Sequence, residues 1–197
     1  VPSRQRNSSS KRGSLLTSSL IVIAGPTAVG KGTVVKYLLE HYPGFEISIS
    51  ATTRPPRPTE VDGQDYFFVT LEQFEEMKHS GELLEWATVH GKHSYGTPKS
   101  PILRALAEGK KVILEIDIQG AKQVKQSMPG AKTIFIAPPS WDELVRRLES
   151  RGTETADQMK IRLETAKVEL AQQDFFDHVI TNDEVATCAQ RIVELSQ

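Results

Sequence analysis

Residues Leu20 to Leu39 read LIVIAGPTAVGKGTVVKYLL, and no other part of the chain restricts the fold as tightly. Leu20 to Ala24 is apolar without a break and stops at Gly25, the pattern of a strand buried on both faces of a parallel sheet. Val34, Val35, Leu38 and Leu39 follow at spacings that give a helix starting near Lys31 one apolar face. The linker Gly25, Pro26, Thr27, Ala28, Val29, Gly30 therefore joins a strand to a helix. This is the context in which backbone N–H groups converge on an anion at a helix N-terminus and a lysine, Lys31, reaches the outer phosphates. One position departs from the usual motif. Where a hydroxyl after the lysine commonly faces Mg²⁺ stands Gly32, and the hydroxyl is displaced to Thr33.

The remainder repeats the alternation. Phe45 to Ile49 reads as a strand with one wet face, and Lys111 to Asp117, Thr133 to Ala137 and His178 to Thr181 read as further strands. Helices are expected over Leu71 to Ser80, from Pro98 to Gly109, over Ala121 to Met128, Trp141 to Ser150, Thr155 to Phe175 and Val185 to Leu195. Ser140 and Glu143 have the spacing of a capping box. The fold class is α/β, a three-layer parallel sheet covered on both faces, with ligand beyond the carboxyl ends of the strands. Between Phe45 and Pro98 the pattern changes: prolines, a turn at Asp62-Gly63, an aromatic strand at Tyr66 to Val69 and another at Leu83 to Val89 mark a small unit of its own.

Charge and composition limit the partners. A net charge of −1 argues against nucleic acid as the main partner, and no apolar run is long enough for a membrane helix. Residues 1 to 17 are Ser- and Arg-rich and read as a disordered basic tail, an RNA-touching arm being the alternative. Cys188 is the single cysteine, which suits a reducing, cytoplasmic setting. Whether the chain is a monomer or a homo-oligomer stays open.

Arginines supply the second half of the chemistry. RPPRP places Arg54 and Arg57 among prolines. The segment matches a PxxP ligand for SH3-type grooves, but the strand, turn and aromatic strand that follow favour a folded unit presenting two guanidinium forks to a phosphate. Arg147 and Arg151 lie one turn apart before the glycine break of RGTET, and Arg162 begins the next helical face. Ordinary surface pairing with Glu143 and Glu154 is the plainer reading; arginines on a hinged lid are what phosphoryl transfer needs.

Taken together, the phosphate loop, SxTTRxPR with GxDYxFV (Ser50 to Val69), LLEWA (Leu83 to Ala87), YGT (Tyr95 to Thr97), the acid-ended strand with Gln119-Gly120, and RLxxRGTET (Arg147 to Thr155) resemble the guanylate kinases of bacteria. The resemblance runs from about Leu20 to the C-terminus. It implies a core of residues 18–48, 98–139 and 166–197, a GMP-binding insertion at 49–97 and a helical lid at 140–165. It also implies a reaction, ATP + GMP to ADP + GDP with Mg²⁺. Lys31 and the loop from Gly25 to Thr33 would hold ATP phosphates, with Arg147 on the ATP side and Asn182 near adenine. Arg54, Arg57, Tyr66 and Tyr95 would hold the GMP phosphate, Ser50, Glu85 and Thr97 would read guanine, and Asp117 would lie between the nucleotides. Arg57, Arg151 and Arg162 would join Lys31 around the moving phosphoryl group, and Thr33 would touch the metal through water. Chemistry supports the base assignment: guanine's adjacent N1–H and N2–H suit one carboxylate such as Glu85, and its O6 suits hydroxyls. Ala28 and Thr59 stand where the family's loops often carry glycine. A peptide-binding module of the same shape would not need Lys31, Arg151 and Arg162, and a kinase for another acceptor would not need Ser50, Glu85 and Thr97.

Overall fold

The computed structural model describes residues 20–89, 92–150 and 155–197. The basic tail 1–17, the turn at His90-Gly91 and the RGTE segment with Arg151 and Gly152 lie outside the described residues.

Strand β1 (Leu20–Ala24) is fully buried and central. It runs parallel to β7 (Lys111–Glu115) on one side and β8 (Lys132–Ala137) on the other, with Val22 opposite Leu114 and Thr133. Strands β2 (Phe45–Ile47) and β9 (His178–Thr181) complete a parallel sheet of order β2-β7-β1-β8-β9. Because side chains alternate along a strand, β1 feeds two cores. Leu20, Val22 and Ala24 pack with α3 (Lys99–Ala107) and α4 (Ile118–Ser127) through Ile102, Leu106 and Val124. On the other face Ile21 and Ile23 pack with α1 (Lys31–His41), α5 (Trp141–Glu149) and α7 (Val185–Leu195) through Val34, Leu38, Leu144 and Ile192. The uninterrupted apolar runs in the sequence are explained by this double coverage.

The unit inserted between β2 and α3 forms a second sheet of order β4-β3-β6-β5, from β3 (Ala51–Thr52), β4 (Phe67–Phe68), β5 (Leu83–Val89) and β6 (His93–Pro98). Helix α2 (Leu71–His79) closes it over a small core of Ala51, Phe74 and Leu83. Gly96 sits where β5 and β6 come closest: a Cβ there would lie 2.9 Å from the Glu85 carbonyl oxygen.

Several boundaries differ from the sequence expectation. The long helix α6 spans Ala156–Leu170, and the chain then turns through a 3₁₀ segment at Gln173–Phe175 instead of continuing to Phe175 as α-helix. Helix α4 starts at Ile118 because Asp117 caps it, accepting from the Gly120 N–H at 2.7 Å. At α5 only half of the expected capping box forms. Ser140 accepts from the Glu143 N–H, but the Glu143 carboxylate turns to Arg146 and Arg147, whose charge outweighs one neutral amide. Complete boxes occur instead at Thr70/Gln73 and Thr155/Gln158.

Candidate active site

The loop after β1 has the backbone that an anion cradle requires. Gly25 has φ +148°, and a Cβ there would lie 2.3 Å from the Ile136 carbonyl oxygen, so no side chain fits. Gly30 has φ +92° and caps α1, whose first turn carries no acidic residue and no side-chain cap. The amides at this end therefore face outward with the positive end of the helix dipole behind them. Lys31 Nζ folds over the loop, donating to the carbonyl oxygens of Gly25 at 2.6 Å and Pro26 at 3.1 Å.

Side chains from late in the chain brace this loop. Asn182, buried at the end of β9, donates from Nδ2 to the Val29 carbonyl oxygen at 2.8 Å. Arg147 donates to Val29 O at 3.2 Å and Asn182 O at 3.1 Å while its Nε meets Glu143 at 2.7 Å. Thr33, exposed on α1, lines a cleft with Arg147 and Asn182. From α6, Arg162 Nη1 reaches the Thr27 hydroxyl at 3.3 Å. Glu169 faces the Thr27 backbone N–H, which lowers its carboxyl, and its Oε2 is buried without a hydrogen-bond partner. Burial pushes the Glu169 carboxyl up, Lys31 and the Thr27 N–H pull it back, and Asp117 pushes it further.

The inserted sheet carries a second cationic cluster. Arg54 makes a two-pronged bond to Glu60 at 2.8 and 2.9 Å and lies 5.4 Å from the centre of the Tyr66 ring, which meets the Tyr95 ring edge-on at 6.0 Å. The Arg54 guanidinium holds the Glu60 carboxyl below the usual range, with a second bond from the Arg57 N–H at 2.8 Å. Arg54 is thereby fixed, whereas the Arg57 side chain is 73% exposed, 4.0 Å from Glu60.

Glu85 on β5 is buried against the first turn of α4. The Thr97 hydroxyl donates to its Oε1 at 2.6 Å, and its Oε2 lies 3.0 Å from where a Cβ on Gly120 would be. Burial pushes the Glu85 carboxyl above the usual carboxylate range, the Thr97 hydroxyl opposes this, and Asp117 adds to it. Asp117, capping α4 through the Gly120 N–H, is near enough to raise both the Glu85 and the Glu169 carboxyls. Ser50 adjoins β3 and accepts the Phe67 N–H through its carbonyl oxygen.

The fold thus presents two cation-bearing clusters, one on the loop after β1 and one on the inserted sheet, and a buried carboxylate on β5. The model of the guanylate kinase family matches residues 17–196. The chain belongs to that family. It is 58% identical over 177 residues to the guanylate kinase of Cutibacterium acnes, covering 90% of this chain and 89% of that one. It is 55% identical to that of Nocardia farcinica, covering 89% and 92%. The crystal structure of guanylate kinase from Anaplasma phagocytophilum superposes with a TM-score of 0.69 at 33% identity, covering 89% of this chain and 82% of that one.

Guanylate kinase membership leaves three side chains that sequence reasoning did not single out. Glu60 organises both insertion arginines; Glu169 touches the phosphate loop from α6; Glu115 ends β7 beside Gly32, its two oxygens 3.7 and 3.8 Å from where a Cβ on Gly32 would be. Burial raises the Glu115 carboxyl and Lys31 lowers it. The strand Lys111 to Asp117 carried that signal, since Glu115 and Asp117 end the same run. Glu60 and Glu169 carried none, being acids among many on polar segments. Ala28, at a position where glycine is frequent in this family's loop, adopts φ +61°.

Proposed function

We propose that this guanylate kinase transfers the γ-phosphoryl group of ATP to GMP, forming ADP and GDP. The observation that carries the guanine assignment is Glu85, a buried carboxylate held by Thr97 through one oxygen, with no hydrogen bond donated to the other among the described residues. Guanine presents N1–H and N2–H side by side; adenine presents an acceptor at N1 and no 2-amino group. In the reaction, Arg54, Tyr66 and Tyr95 seat the GMP phosphate, Ser50 completes the base contacts, and Thr97, whose hydroxyl hydrogen goes to Glu85, acts on the base by holding that carboxylate. Lys31 and the loop Gly25 to Thr33 seat the ATP phosphates, with Arg147 and Asn182 shaping the adenine side. Phosphoryl transfer depends on positioning and on cations around the transferred oxygens. Arg57, exposed on the insertion, and Arg162, on α6, are the cations that close around them, with Arg151.

Magnesium fits this donor set. The space beside Gly32 is faced by both oxygens of Glu115, and hard oxygen donors suit Mg²⁺. Glu115 and Thr33 would hold the ion, which when bound neutralises charge on the ATP phosphates. The chain's one cysteine, buried Cys188, suits a reducing cytoplasm; among the described residues no helix is long and apolar enough to cross a membrane.

The test is ADP production from ATP with GMP, AMP, CMP or UMP as acceptor. A site that hydrogen-bonds its base rejects an analogue lacking the partner groups by ~10⁴ or more, so GMP should lead by that margin in kcat/KM. Comparable rates with AMP would overturn the assignment.

A further inference from the structure

Strand β5 lies at the edge of the inserted sheet, so alternate residues turn their backbone N–H and C=O away from β6. At Trp86 both groups are taken by one side chain. Gln123 of α4 accepts from the Trp86 N–H at 3.1 Å and donates from Nε2 to the Trp86 carbonyl oxygen at 3.0 Å. The carboxamide thus does what a neighbouring strand would do. One turn on, Ser127 Oγ lies 3.2 Å from the Leu84 carbonyl oxygen; one turn back, Gly120 lets the helix come close to the Glu85 carboxylate. Gly120, Gln123 and Ser127 form one face of α4, while Ala121 and Val124 anchor that helix in the main core.

We infer that Gln123 is a positioning residue for guanine selection: it clamps the backbone beside Glu85 to the core, so the base-reading carboxylate is fixed by α4 as well as by its own sheet. This rests on the reading of Glu85 given above. A carboxylate accepting two N–H groups tolerates little rotation, and Thr97 restrains only one of its oxygens. The residue after Glu85 meets α4 through both groups of the Gln123 carboxamide, and the Ser127 hydroxyl, nearest at 3.0 Å to the Gln123 carbonyl oxygen of its own helix, packs against Leu84 on the other side. The strand can then neither slide along the helix nor twist without breaking a bond to it.

The experiment uses full-length enzyme with Gln123→Met, which keeps side-chain length and removes both bonds, and Gln123→Asn, which keeps the amide but retracts it by one carbon. KM for GMP should rise on the order of tenfold in both, with the GMP to AMP ratio of kcat/KM falling by the same factor. KM for ATP and kcat at saturating substrates should stay within twofold. Amide hydrogen exchange at Trp86 should accelerate while that at Val22 does not. Loss of stability alone would move ATP and GMP parameters together, and that result would overturn the inference, as would an unchanged KM for GMP in both variants. Glu85→Gln, measured in parallel, separates the two readings. If it keeps the GMP preference, the assignment of Glu85 fails. If it loses the preference while the Gln123 variants keep theirs, the clamp alone fails.

Discussion

Replacing Glu85 by Gln changes one atom and should invert part of the base recognition. The Thr97 hydroxyl donates to Oε1 at 2.6 Å and so keeps an oxygen at that position in the variant, which puts the amide nitrogen where Oε2 stood, beside Gly120. One guanine N–H then loses a charged acceptor, a bond worth about 1.5–3 kcal/mol, and meets a donor, leaving a buried pair unsatisfied for about 1–3 kcal/mol more. The sum, roughly 2.5–6 kcal/mol, corresponds to a fall between about 10² and 10⁴ in kcat/KM for GMP. The new N–H₂ faces an acceptor in adenine, so AMP should gain where GMP loses. Steady-state ADP release with each monophosphate, at fixed saturating ATP, reads both numbers. A GMP value within threefold of the parent enzyme, or an AMP value that falls in parallel, would refute the bidentate geometry.

Acidification should mimic that substitution. Burial holds the Glu85 carboxyl above the ordinary carboxylate range, and guanine's donors bind the ionised form, so GMP affinity is intact above that raised pKa and is lost as pH falls through it. The acid limb of log(kcat/KM) for GMP should therefore lie above pH 4.5, the ordinary value, and should vanish in Glu85→Gln. Gly25→Ala should cost about 3 kcal/mol or more from combined strain and clash against Ile136, read as a drop of roughly 6–12 °C in melting temperature. Ala28→Gly should be near neutral, within about 1 kcal/mol, because relief at φ +61° is offset by the lost methyl burial and by glycine's extra chain entropy. Gly32→Ser should be accepted without loss of stability, since its Cβ would meet Glu115 at 3.7 Å, and should lower the Mg²⁺ concentration needed for half-maximal rate; an unchanged Mg²⁺ titration would remove that position from the metal's surroundings.

Strands β1, β7 and β8 were legible because a two-faced burial leaves no room for polar residues, and the phosphate loop because two of its backbone positions admit no ordinary side chain. The pairing of Glu85 with Thr97 was legible only through the resemblance, since twelve residues and a hairpin separate them. What stayed hidden were contacts that depend on three-dimensional competition. Glu143 had the spacing to cap its own helix and was drawn off by two arginines. Glu60 and Glu169 lie in polar surroundings like many other acids; Glu60 is met by arginines of its own loop folded back on it, and Glu169 faces Thr27 from far along the chain. The end of α6 at Leu170 was overrun because the residues after it are as helix-compatible as those before it; the turn there lets Phe176 pack against Phe135 at 5.2 Å.

The braces on the phosphate loop carry a consequence for how the protein is made. The groups that tie the loop down follow it far behind in the chain: Arg147 by 118 residues, Arg162 by 135 and Asn182 by 153. Strand β8, which covers one side of β1, also emerges only after residue 132. A nascent chain halted before β9 therefore holds the whole motif but lacks the Asn182 amide on Val29. Chains grow at about 5–20 residues per second, so the 153 residues from Val29 to Asn182 leave the loop without that brace for roughly 8–30 s of synthesis. The fully braced loop therefore waits for β9, and a chain cut directly after Thr181 keeps the whole glycine-lysine motif while losing the amide that holds Val29.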